Sequence, residues 1–223
     1  MQDYQKRFID FLVKSGALTF GDFITKSGRK TPYFVNTGNF NSGGKISELG
    51  TYYASHLVSS GLTSVSVIFG PAYKGIPLSV TTASALFQGH KLDIGFCFNR
   101  KEAKDHGDAG TFVGSKISDG SKVVIVEDVI TAGTTVREVV PMIKGLGKVD
   151  ILGVIISVDR SEKGSAELSA VKEAEQSLGV KVFPIVTIHE IVSYLSTQNN
   201  SGIILSEEMN SKIAQYLEIY GAK

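Results

Sequence analysis

The sequence predicts an α/β fold, in which a parallel β-sheet is covered by helices on both faces. Between residues 65 and 186, apolar runs typical of strands alternate with stretches whose apolar residues recur at helical spacing. The strand-like runs are continuous rather than alternating with polar residues, which is typical of strands buried on both faces. With 223 residues, of which 42% are hydrophobic, the chain is long enough for one large domain with a sizeable core.

The N-terminal part of the chain precedes this alternation. Apolar residues at helical spacing before Gly16 predict an amphipathic first helix. Residues 17–40 form a short stretch that is rich in turn formers. Within it, 32–35 should be extended because a proline favours non-helical neighbours. A loop at 41–44 is then expected to lead into a second helix that ends before Gly61.

Strands and helices are then predicted in turn. The predicted strands are 65–69, 92–98, 123–126, 151–158 and 182–186, and the predicted helices between them are 75–87, 134–146 and 165–178. Pro141 lies inside one of these helices, where it removes a backbone hydrogen bond and should kink or split the helix. Two more helices are expected in 188–220, on either side of a turn at 199–202.

The domain organisation follows from the lack of any linker-like stretch in the sequence. We predict a single domain over residues 1–223, with a core at about 45–190. The material outside the alternating core, about 1–40 together with the C-terminal segment, should form a small hood-like lobe.

Composition and charge exclude several classes of protein. The 23 basic and 22 acidic side chains give a net charge of +1, so no global positive field drives binding to nucleic acid or to a membrane surface. A lone cysteine, Cys97, cannot form an internal disulfide and fits a reducing compartment. The N-terminus carries Asp3 and Asp10 and lacks the features of a signal peptide, and no apolar stretch is long enough to span a bilayer. We therefore expect a cytoplasmic protein that binds neither nucleic acid nor a membrane.

The most informative segment is 123–135. A buried strand ends at two adjacent acids, Glu127 and Asp128, and a loop of small and hydroxyl-bearing residues then leads into a helix. Ligands of open α/β sheets bind outside the carboxyl ends of strands, and free amides at a helix N-terminus hold phosphate. The paired carboxylates would suit the cis-diol of a ribose, or a metal. The alternative is an ordinary strand-to-helix turn with a capping threonine, but the two acids favour a ribose-phosphate site.

This segment closely resembles the 5-phosphoribosyl 1-diphosphate (PRPP) motif of the type I phosphoribosyltransferases. Four further blocks resemble the orotate phosphoribosyltransferases and occur in that family's order; they are 26–34, 70–77, 99–107 and 159–160. Five blocks in order, between about residues 20 and 165, form a specific signal. The resemblance implies the type I phosphoribosyltransferase fold. It also implies transfer of the 5-phosphoribosyl group from PRPP to orotate, which gives orotidine 5′-monophosphate and diphosphate in pyrimidine (UMP) biosynthesis.

The resemblance implies binding roles for individual residues. Those implied to bind PRPP are Lys26, Tyr73, Lys74, Arg100, Lys101, Lys104, His106, Glu127, Asp128, Val129, Ile130, Thr131, Ala132, Gly133, Thr134 and Thr135. Those implied to bind orotate are Lys26, Phe34, Val35, Thr131 and Arg160. Orotate is an anionic, planar pyrimidine, so an arginine fork for its carboxylate and an apolar face for its ring suit it chemically. Lys101, Lys104 and His106 are implied to assist the departure of diphosphate.

The block after residue 99 implies a mobile lid and a second subunit. Residues 99–114 are formally neutral but contain three glycines, which suits a lid. In the family this loop closes over a neighbouring subunit's site, while Lys101 serves its own chain. The resemblance therefore implies a homodimer with shared active sites. It also implies Mg²⁺ held mainly through PRPP and water, without a protein metal cage.

Other interpretations of these residues stay open at this point. The glycines and prolines of 70–77 are also ordinary turn formers, Phe34 could be a core residue, and Arg160 could pair with Asp159 or Glu162. The remaining histidines, His56, His90 and His189, show no metal-ligand spacing and are expected to lie on the surface or in packing contacts. The alternative functions are a phosphoribosyltransferase for another base and a non-catalytic PRPP-sensing regulator.

Overall fold

The computed structural model describes residues 1–25, 28–102, 111–130, 133–164, 168–197 and 199–222. Eight strands and seven helices lie in these ranges, with one short 3₁₀ turn at Thr37–Asn39. The helices are α1 Asp3–Lys14, α2 Gly43–Ser59, α3 Gly75–His90, α4 Thr134–Lys144, α5 Ala170–Leu178, α6 Ile188–Leu195 and α7 Glu207–Tyr220. The strands are β1 Leu18–Ile24, β2 Lys30–Val35, β3 Val67–Phe69, β4 Gly95–Asn99, β5 Phe112–Gly114, β6 Lys122–Glu127, β7 Asp150–Asp159 and β8 Val182–Thr187.

A six-stranded sheet forms the centre of the molecule, with strand order β5-β4-β3-β6-β7-β8. Every neighbouring pair is parallel except β4 with β5. The residues of β6 show why the strand sequences are apolar throughout: Val124 and Val126 pack in the hydrophobic cluster on one face, whereas Val123 and Ile125 pack in the cluster on the other. The predicted α/β fold with a helix-covered, mainly parallel sheet is confirmed.

The N-terminal strands form a separate two-stranded antiparallel sheet, β1 with β2, and α7 packs against it through an edge-to-face contact of Tyr33 with Tyr216. β2 agrees with the extended segment predicted at 32–35, but β1 was not predicted. Its pairing with β2 is irregular between Phe20 and Phe23, which breaks the regular alternation that identifies a strand in a sequence. The predicted division of the chain into a core and a hood-like lobe stays a prediction.

Several predicted boundaries were wrong for local reasons. The loop expected at 41–44 is shorter, because Ser42 caps α2 by accepting a hydrogen bond from the Lys45 amide, so that Gly43 already belongs to the helix. The helix expected from residue 165 begins at Ala170 after its cap, Ser169, while 165–167 lie outside the described residues. The strands expected at 65–69 and 92–98 begin later, at Val67 and Gly95.

Pro141 does not split α4. The helix continues for three residues beyond it, and the Gly145 amide donates to the Pro141 carbonyl at 2.9 Å. The proline is exposed, whereas Val140 and Ile143 on either side of it are buried. Packing of this apolar face therefore compensates for the one backbone hydrogen bond that the proline removes.

No helix in the described ranges combines the length and the apolar character needed to cross a membrane.

Candidate active site

The carboxyl ends of the parallel strands lie along one edge of the sheet, where open α/β sheets bind their ligands. β3 ends at Phe69, β4 at Asn99, β6 at Glu127 and β7 at Asp159. The polar segments singled out in the sequence begin at or just after these positions. Because β6 lies between β3 and β7 in the sheet, the acidic pair of β6 has the loop after β3 on one side and the end of β7 on the other.

The loop after β3 is held in a tight conformation by two glycines. A Cβ atom at Gly70 would lie 1.9 Å from the Gly75 carbonyl oxygen, and one at Gly75 would lie 2.7 Å from the Gly70 carbonyl carbon. The buried side chain of Asn99 also fixes the loop, since its Oδ1 accepts a hydrogen bond from the Ala72 amide at 2.9 Å. The turn-former interpretation of this block is therefore correct for its glycines, and the turn orients the residues that follow.

Lys74 extends from this loop to the acidic pair. Its Nζ lies 2.8 Å from Asp128 Oδ2 and 3.1 Å from Thr37 Oγ1. Thr37 in turn donates to the same Asp128 oxygen at 2.6 Å. Thr37, Lys74, Glu127 and Asp128 are called the acidic cluster below. The neighbouring Tyr73 is 70% exposed and therefore free to meet a ligand.

The two carboxyl groups of the acidic cluster differ in their electrostatics. Burial raises the pKa of Glu127 to about 8, and the adjacent Asp128 charge adds to the effect. Burial acts on Asp128 in the same direction, but hydrogen bonds from Lys74 and Thr37 outweigh it and hold the pKa of Asp128 below its ordinary value. Asp128 is therefore the charged member at neutral pH, and Glu127 still holds its proton in much of the protein.

Residues 129–130 and Gly133 are the described part of the segment between the acidic pair and α4. The Val129 amide donates to Asp128 Oδ1 at 2.8 Å. Ile130 is buried in the core, so it can contribute to a site only through its backbone. Gly133 adopts a left-handed conformation with φ +69°, which favours glycine, and the helix begins directly after it. The first residues of α4, 134–135, are exposed or half-buried at this helix N-terminus, as a phosphate site requires.

Four residues form an arginine cluster at the end of β7: Arg29, Tyr33, Arg160 and Glu162. Glu162 Oε1 accepts hydrogen bonds from Arg160 Nε at 3.0 Å, from Arg160 Nη2 at 2.6 Å and from the Tyr33 hydroxyl at 2.8 Å. Glu162 Oε2 accepts one from Arg29 Nη1 at 3.2 Å. Of the two partners left open for Arg160, the structure shows Glu162, whereas the Asp159 carboxylate accepts from the Ser161 amide.

The arginine cluster is largely shielded from water. The Arg160 guanidinium lies 5.1 Å from the centre of the Tyr33 ring, in cation–π geometry. Burial disfavours the charged form of Arg160, but the negative charge of Glu162 outweighs this and raises the pKa of Arg160. Burial and the Glu162 charge also raise the pKa of Tyr33, so that its hydroxyl stays a hydrogen-bond donor.

The residues predicted to form an apolar face for a base, Phe34 and Val35, directly follow Tyr33 of this cluster in β2. Phe34 is half-buried and stacks on Phe23 of β1, with 5.7 Å between ring centres. Val35 is also half-buried and packs against the main hydrophobic cluster. Phe34 is therefore neither fully exposed nor a core residue, and one part of its surface is available to a ligand.

Arg100 and Lys101 line a cleft of about 540 Å³, and Tyr73 lines it as well. The Arg100 amide donates to the Thr111 carbonyl at 2.7 Å. Its buried Nε has no hydrogen-bond partner among the described residues. Lys101 Nζ lies 3.8 Å from Glu138 Oε2, and both side chains are solvent-exposed. The cleft brings the basic residues after β4 next to the loop after β3.

Five of the predicted site residues lie outside the part of the chain that the structure describes; they are Lys26, Lys104, His106, Thr131 and Ala132. Their roles stay predictions.

Some residues of the site were missed by sequence analysis. Thr37 and Tyr33 join their clusters from positions 91 and 129 residues away along the chain. Arg29 and Asn99 stand inside blocks that were recognised, but no role was assigned to them. Glu162 was considered only as a possible partner of Arg160. The sequence offered one usable signal, which is the short spacing between Arg160 and Glu162.

The described residues contain no group of three or more His, Cys, Asp or Glu side chains placed to hold a metal ion. The acidic cluster does supply carboxylate oxygens from Glu127 and Asp128, the ligand type that Mg²⁺ prefers. These residues fit a magnesium ion whose other ligands come from elsewhere.

Comparisons with known proteins agree with this geometry. A model of the phosphoribosyl transferase domain matches residues 37–190. The orotate phosphoribosyltransferase of Clostridium botulinum (strain Alaska E43 / Type E3) is 50% identical over 224 residues, and the match covers 100% of both chains. That of Vibrio cholerae is 48% identical and covers 97% of this chain and 99% of the relative. The crystal structure of orotate phosphoribosyltransferase from Francisella tularensis superposes with a TM-score of 0.85 at 36% identity, covering 97% of this chain and 100% of that one.

The fold and the site therefore define a phosphoribosyltransferase, as the matching domain shows. Within that class, the full-length similarity to its relatives shows that the chain belongs to the orotate phosphoribosyltransferase family. Both the predicted family and the predicted enzyme class, a pentosyltransferase, are confirmed.

Proposed function

We propose that the protein transfers the 5-phosphoribosyl group of PRPP to orotate and releases orotidine 5′-monophosphate and diphosphate. The observation that carries the proposal is the placement of the acidic cluster and the arginine cluster at the ends of two paired strands, β6 and β7. Glu127 is paired with Ile156 of β7, and Arg160 directly follows that strand. The sugar and the base of a nucleotide, which are covalently joined neighbours, would then each have a binding group of suitable charge.

The acidic cluster would hold the ribose of PRPP. Asp128 is ionised and Glu127 accepts or donates according to its protonation state, so both can bond to the two ribose hydroxyls. Binding would bring those hydroxyls to the Asp128 oxygen that Lys74 and Thr37 occupy. The backbone amides of 129–135 and the N-terminus of α4 would hold the 5-phosphate. This arrangement fixes the sugar with its C1 atom toward the base.

The arginine cluster and Phe34 would hold orotate. An arginine binds a carboxylate with two parallel hydrogen bonds, and an aromatic face packs on a planar pyrimidine. Lys26 and Thr131 complete the proposed base site on the basis of the family resemblance. In this position the N1 atom of orotate attacks C1 of the ribose from the face opposite to the diphosphate.

The diphosphate group must leave with its negative charge stabilised. We assign this role to Tyr73, Lys74, Arg100 and Lys101, with Lys104 and His106 acting when the loop that carries them covers a site. Magnesium, held mainly by oxygens of PRPP and by water, would supply charge neutralisation for the diphosphate.

The proposal includes a homodimer with shared active sites. An exposed stripe along α3 and the loop before it supports this part: Tyr73, Pro77, Val80, Ser84 and Phe87 recur at helical spacing, and Val80 and Phe87 are 37% and 56% exposed. Such apolar surface is typical of a protein interface. Because the stripe begins at Tyr73, a partner seated on it would lie beside the active site. Light scattering should give twice the mass of the chain, and Phe87→Glu should shift it toward the monomer.

A cytoplasmic location is also part of the proposal. It is supported by the lone thiol Cys97, which is buried in β4 and suits a reducing compartment. Cell fractionation with an antibody against the protein would test it.

The decisive experiment follows the absorbance of orotate in the presence of PRPP and Mg²⁺, with adenine, hypoxanthine and uracil in parallel reactions. We expect loss of the orotate signal that depends on both PRPP and the metal. Use of another base in place of orotate would keep the PRPP site and overturn the base site. PRPP binding without turnover of any base would favour the regulator.

The role of Lys104 has its own test. Lys104→Ala should lower kcat severely with little change in the thermal midpoint, because the lysine is assigned to the departing diphosphate. Lys122→Ala, an exposed lysine at the opposite end of β6, is the matched control and should leave kcat unchanged. An unchanged rate for Lys104→Ala would overturn the assignment.

A further inference from the structure

We propose that Glu162 is a positioning residue for the base: its carboxylate fixes the Arg160 guanidinium so that one edge of it is turned to the carboxylate of orotate. The inference rests on the proposed function and extends it to a residue that does not itself touch the substrate. It is carried by the hydrogen bonds, burial and charge of the arginine cluster.

The hydrogen bonds leave Arg160 with one occupied and one unoccupied edge. A guanidinium has two edges that can bind a carboxylate, one formed by Nε with Nη2 and one by Nη1 with Nη2. Glu162 Oε1 takes the Nε–Nη2 edge, at 3.0 Å and 2.6 Å. Among the described residues no acceptor is bound at Nη1, so the second edge is available for a bidentate contact with a planar carboxylate.

Glu162 is itself held from three directions. The Tyr33 hydroxyl donates to its Oε1 at 2.8 Å, and Arg29 Nη1 donates to its Oε2 at 3.2 Å. Its backbone forms an antiparallel bridge with Gly221, just after α7. The hydrogen bond from the Lys163 amide to the Tyr220 carbonyl, at 2.8 Å, extends this attachment. The direction of the Arg160 guanidinium is therefore set by contacts with both the N-terminal strands and the C-terminal helix.

Charge gives Glu162 a second effect on the base site. Two guanidinium groups and one carboxylate leave the arginine cluster with one excess positive charge, which matches the single carboxylate of orotate. The side chains of Arg160 and Glu162 are each 15% exposed, so solvent screens their interaction only weakly. Without the Glu162 charge, Arg160 would lose its fixed edge and would face Arg29 without compensation.

The test is the variant Glu162→Gln, which keeps the size of the side chain and removes its charge. We expect the KM for orotate to rise about tenfold or more, because the negative charge that fixes the Arg160 guanidinium is lost, while the KM for PRPP stays within about twofold. Glu208→Gln, at an exposed ion pair with Lys212 on α7, is the matched control and should change neither constant.

A double-mutant cycle separates positioning from a merely structural role. If Glu162 acts through Arg160, Glu162→Gln in the Arg160→Gln background should change the KM for orotate by less than about twofold. Additive effects of the two substitutions would overturn the inference, as would equal rises in both KM values together with a lower thermal midpoint. If the wild-type protein consumes orotate and the Glu162→Gln variant has an unchanged KM for orotate, the inference about Glu162 is overturned and the proposed function stands. A wild type that does not consume orotate would overturn the proposed function and this inference with it.

Discussion

The ends of β6 and β7 carry clusters of different composition, with two carboxyl groups at β6 and two guanidinium groups at β7, although the two strands are hydrogen-bonded neighbours. At the end of β6, the Lys74 ammonium group pairs with the carboxylate of Asp128, next to the second carboxyl group, that of Glu127. At the end of β7, two guanidinium groups share one carboxylate, that of Glu162. In both clusters a hydroxyl group from the N-terminal part of the chain donates to a carboxylate: Thr37 donates to Asp128, and Tyr33 donates to Glu162.

Under the proposed function, this difference lets one edge of the sheet bind PRPP and orotate at separate places. An excess of carboxyl groups suits ribose hydroxyls and a metal ion, whereas an excess of guanidinium suits an anionic base. Each cluster is held together by internal hydrogen bonds, and a ligand would replace or complete them. If this account is right, substitutions in the two clusters should affect different substrates.

The largest effect is expected for Asp128→Asn. It removes the ionised carboxylate of the acidic cluster. Because charge-assisted hydrogen bonds to the two ribose hydroxyls of PRPP are then lost, kcat/KM for PRPP should fall about a hundredfold. Steady-state kinetics with PRPP as the varied substrate will measure this. Asp150→Asn, at the exposed opposite end of β7, serves as control. A loss of less than threefold in the Asp128 variant would remove this residue from the sugar site.

The next largest effect is expected for Arg160→Gln. The KM for orotate should rise about thirtyfold, since glutamine cannot offer a charged two-hydrogen edge to a carboxylate. Arg7→Gln on the exposed side of α1 is the control and should behave as wild type. Equal kinetics of the two variants would show that another residue binds the carboxylate.

Glu127→Gln sharpens the comparison through stability. Because the pKa of Glu127 lies above that of an ordinary glutamate, the folded protein retains a proton that the unfolded chain has released between the two values. The free energy of unfolding of the wild type must therefore fall as pH rises through that interval. The Glu127→Gln variant has no group that titrates at this position, so it does not lose this stability. The thermal midpoint of Glu127→Gln should match wild type near pH 4.5 and exceed it by several degrees, roughly 3–8 °C, at pH 9. A constant difference at all pH values would contradict the assigned pKa shift.

The smallest effect is expected for Tyr33→Phe. The ring and its contacts with Arg160 and Tyr216 remain, and only the hydroxyl that donates to Glu162 is lost. The KM for orotate should rise about two- to threefold, since Glu162 keeps its two arginine partners. Initial rates over a range of orotate concentrations will show it, and a rise above tenfold would mean that Tyr33 contacts the base itself.

The features that could be predicted from the sequence are those that depend on residues close together along the chain. The run from Glu127 to Thr135, the glycines of 70–75 and the alternating strands and helices are local patterns, and the structure places their described residues where the fold class requires. Local patterns also misled: an exposed proline inside α4 predicted a break that buried valines and isoleucine on the same helix prevent.

What the sequence lacked were contacts between distant segments. Thr37 meets Asp128, and Arg29 meets Glu162, across 91 and 133 residues, and no spacing rule links such positions. The irregular strand β1 escaped for a different reason, because its bulge destroys the alternation on which strand prediction depends. Residues that position others are therefore harder to predict than those with a recognisable motif.

A crossed set of binding titrations would show whether the acidic cluster binds PRPP and the arginine cluster binds orotate. Equilibrium dissociation constants for PRPP and for orotate would be measured with wild type, Asp128→Asn and Arg160→Gln. We expect Asp128→Asn to weaken PRPP binding and to leave the dissociation constant for orotate within about twofold, and we expect Arg160→Gln to do the reverse. If both variants weakened the same ligand, or each weakened both equally, the two clusters would not act as separate sugar and base sites.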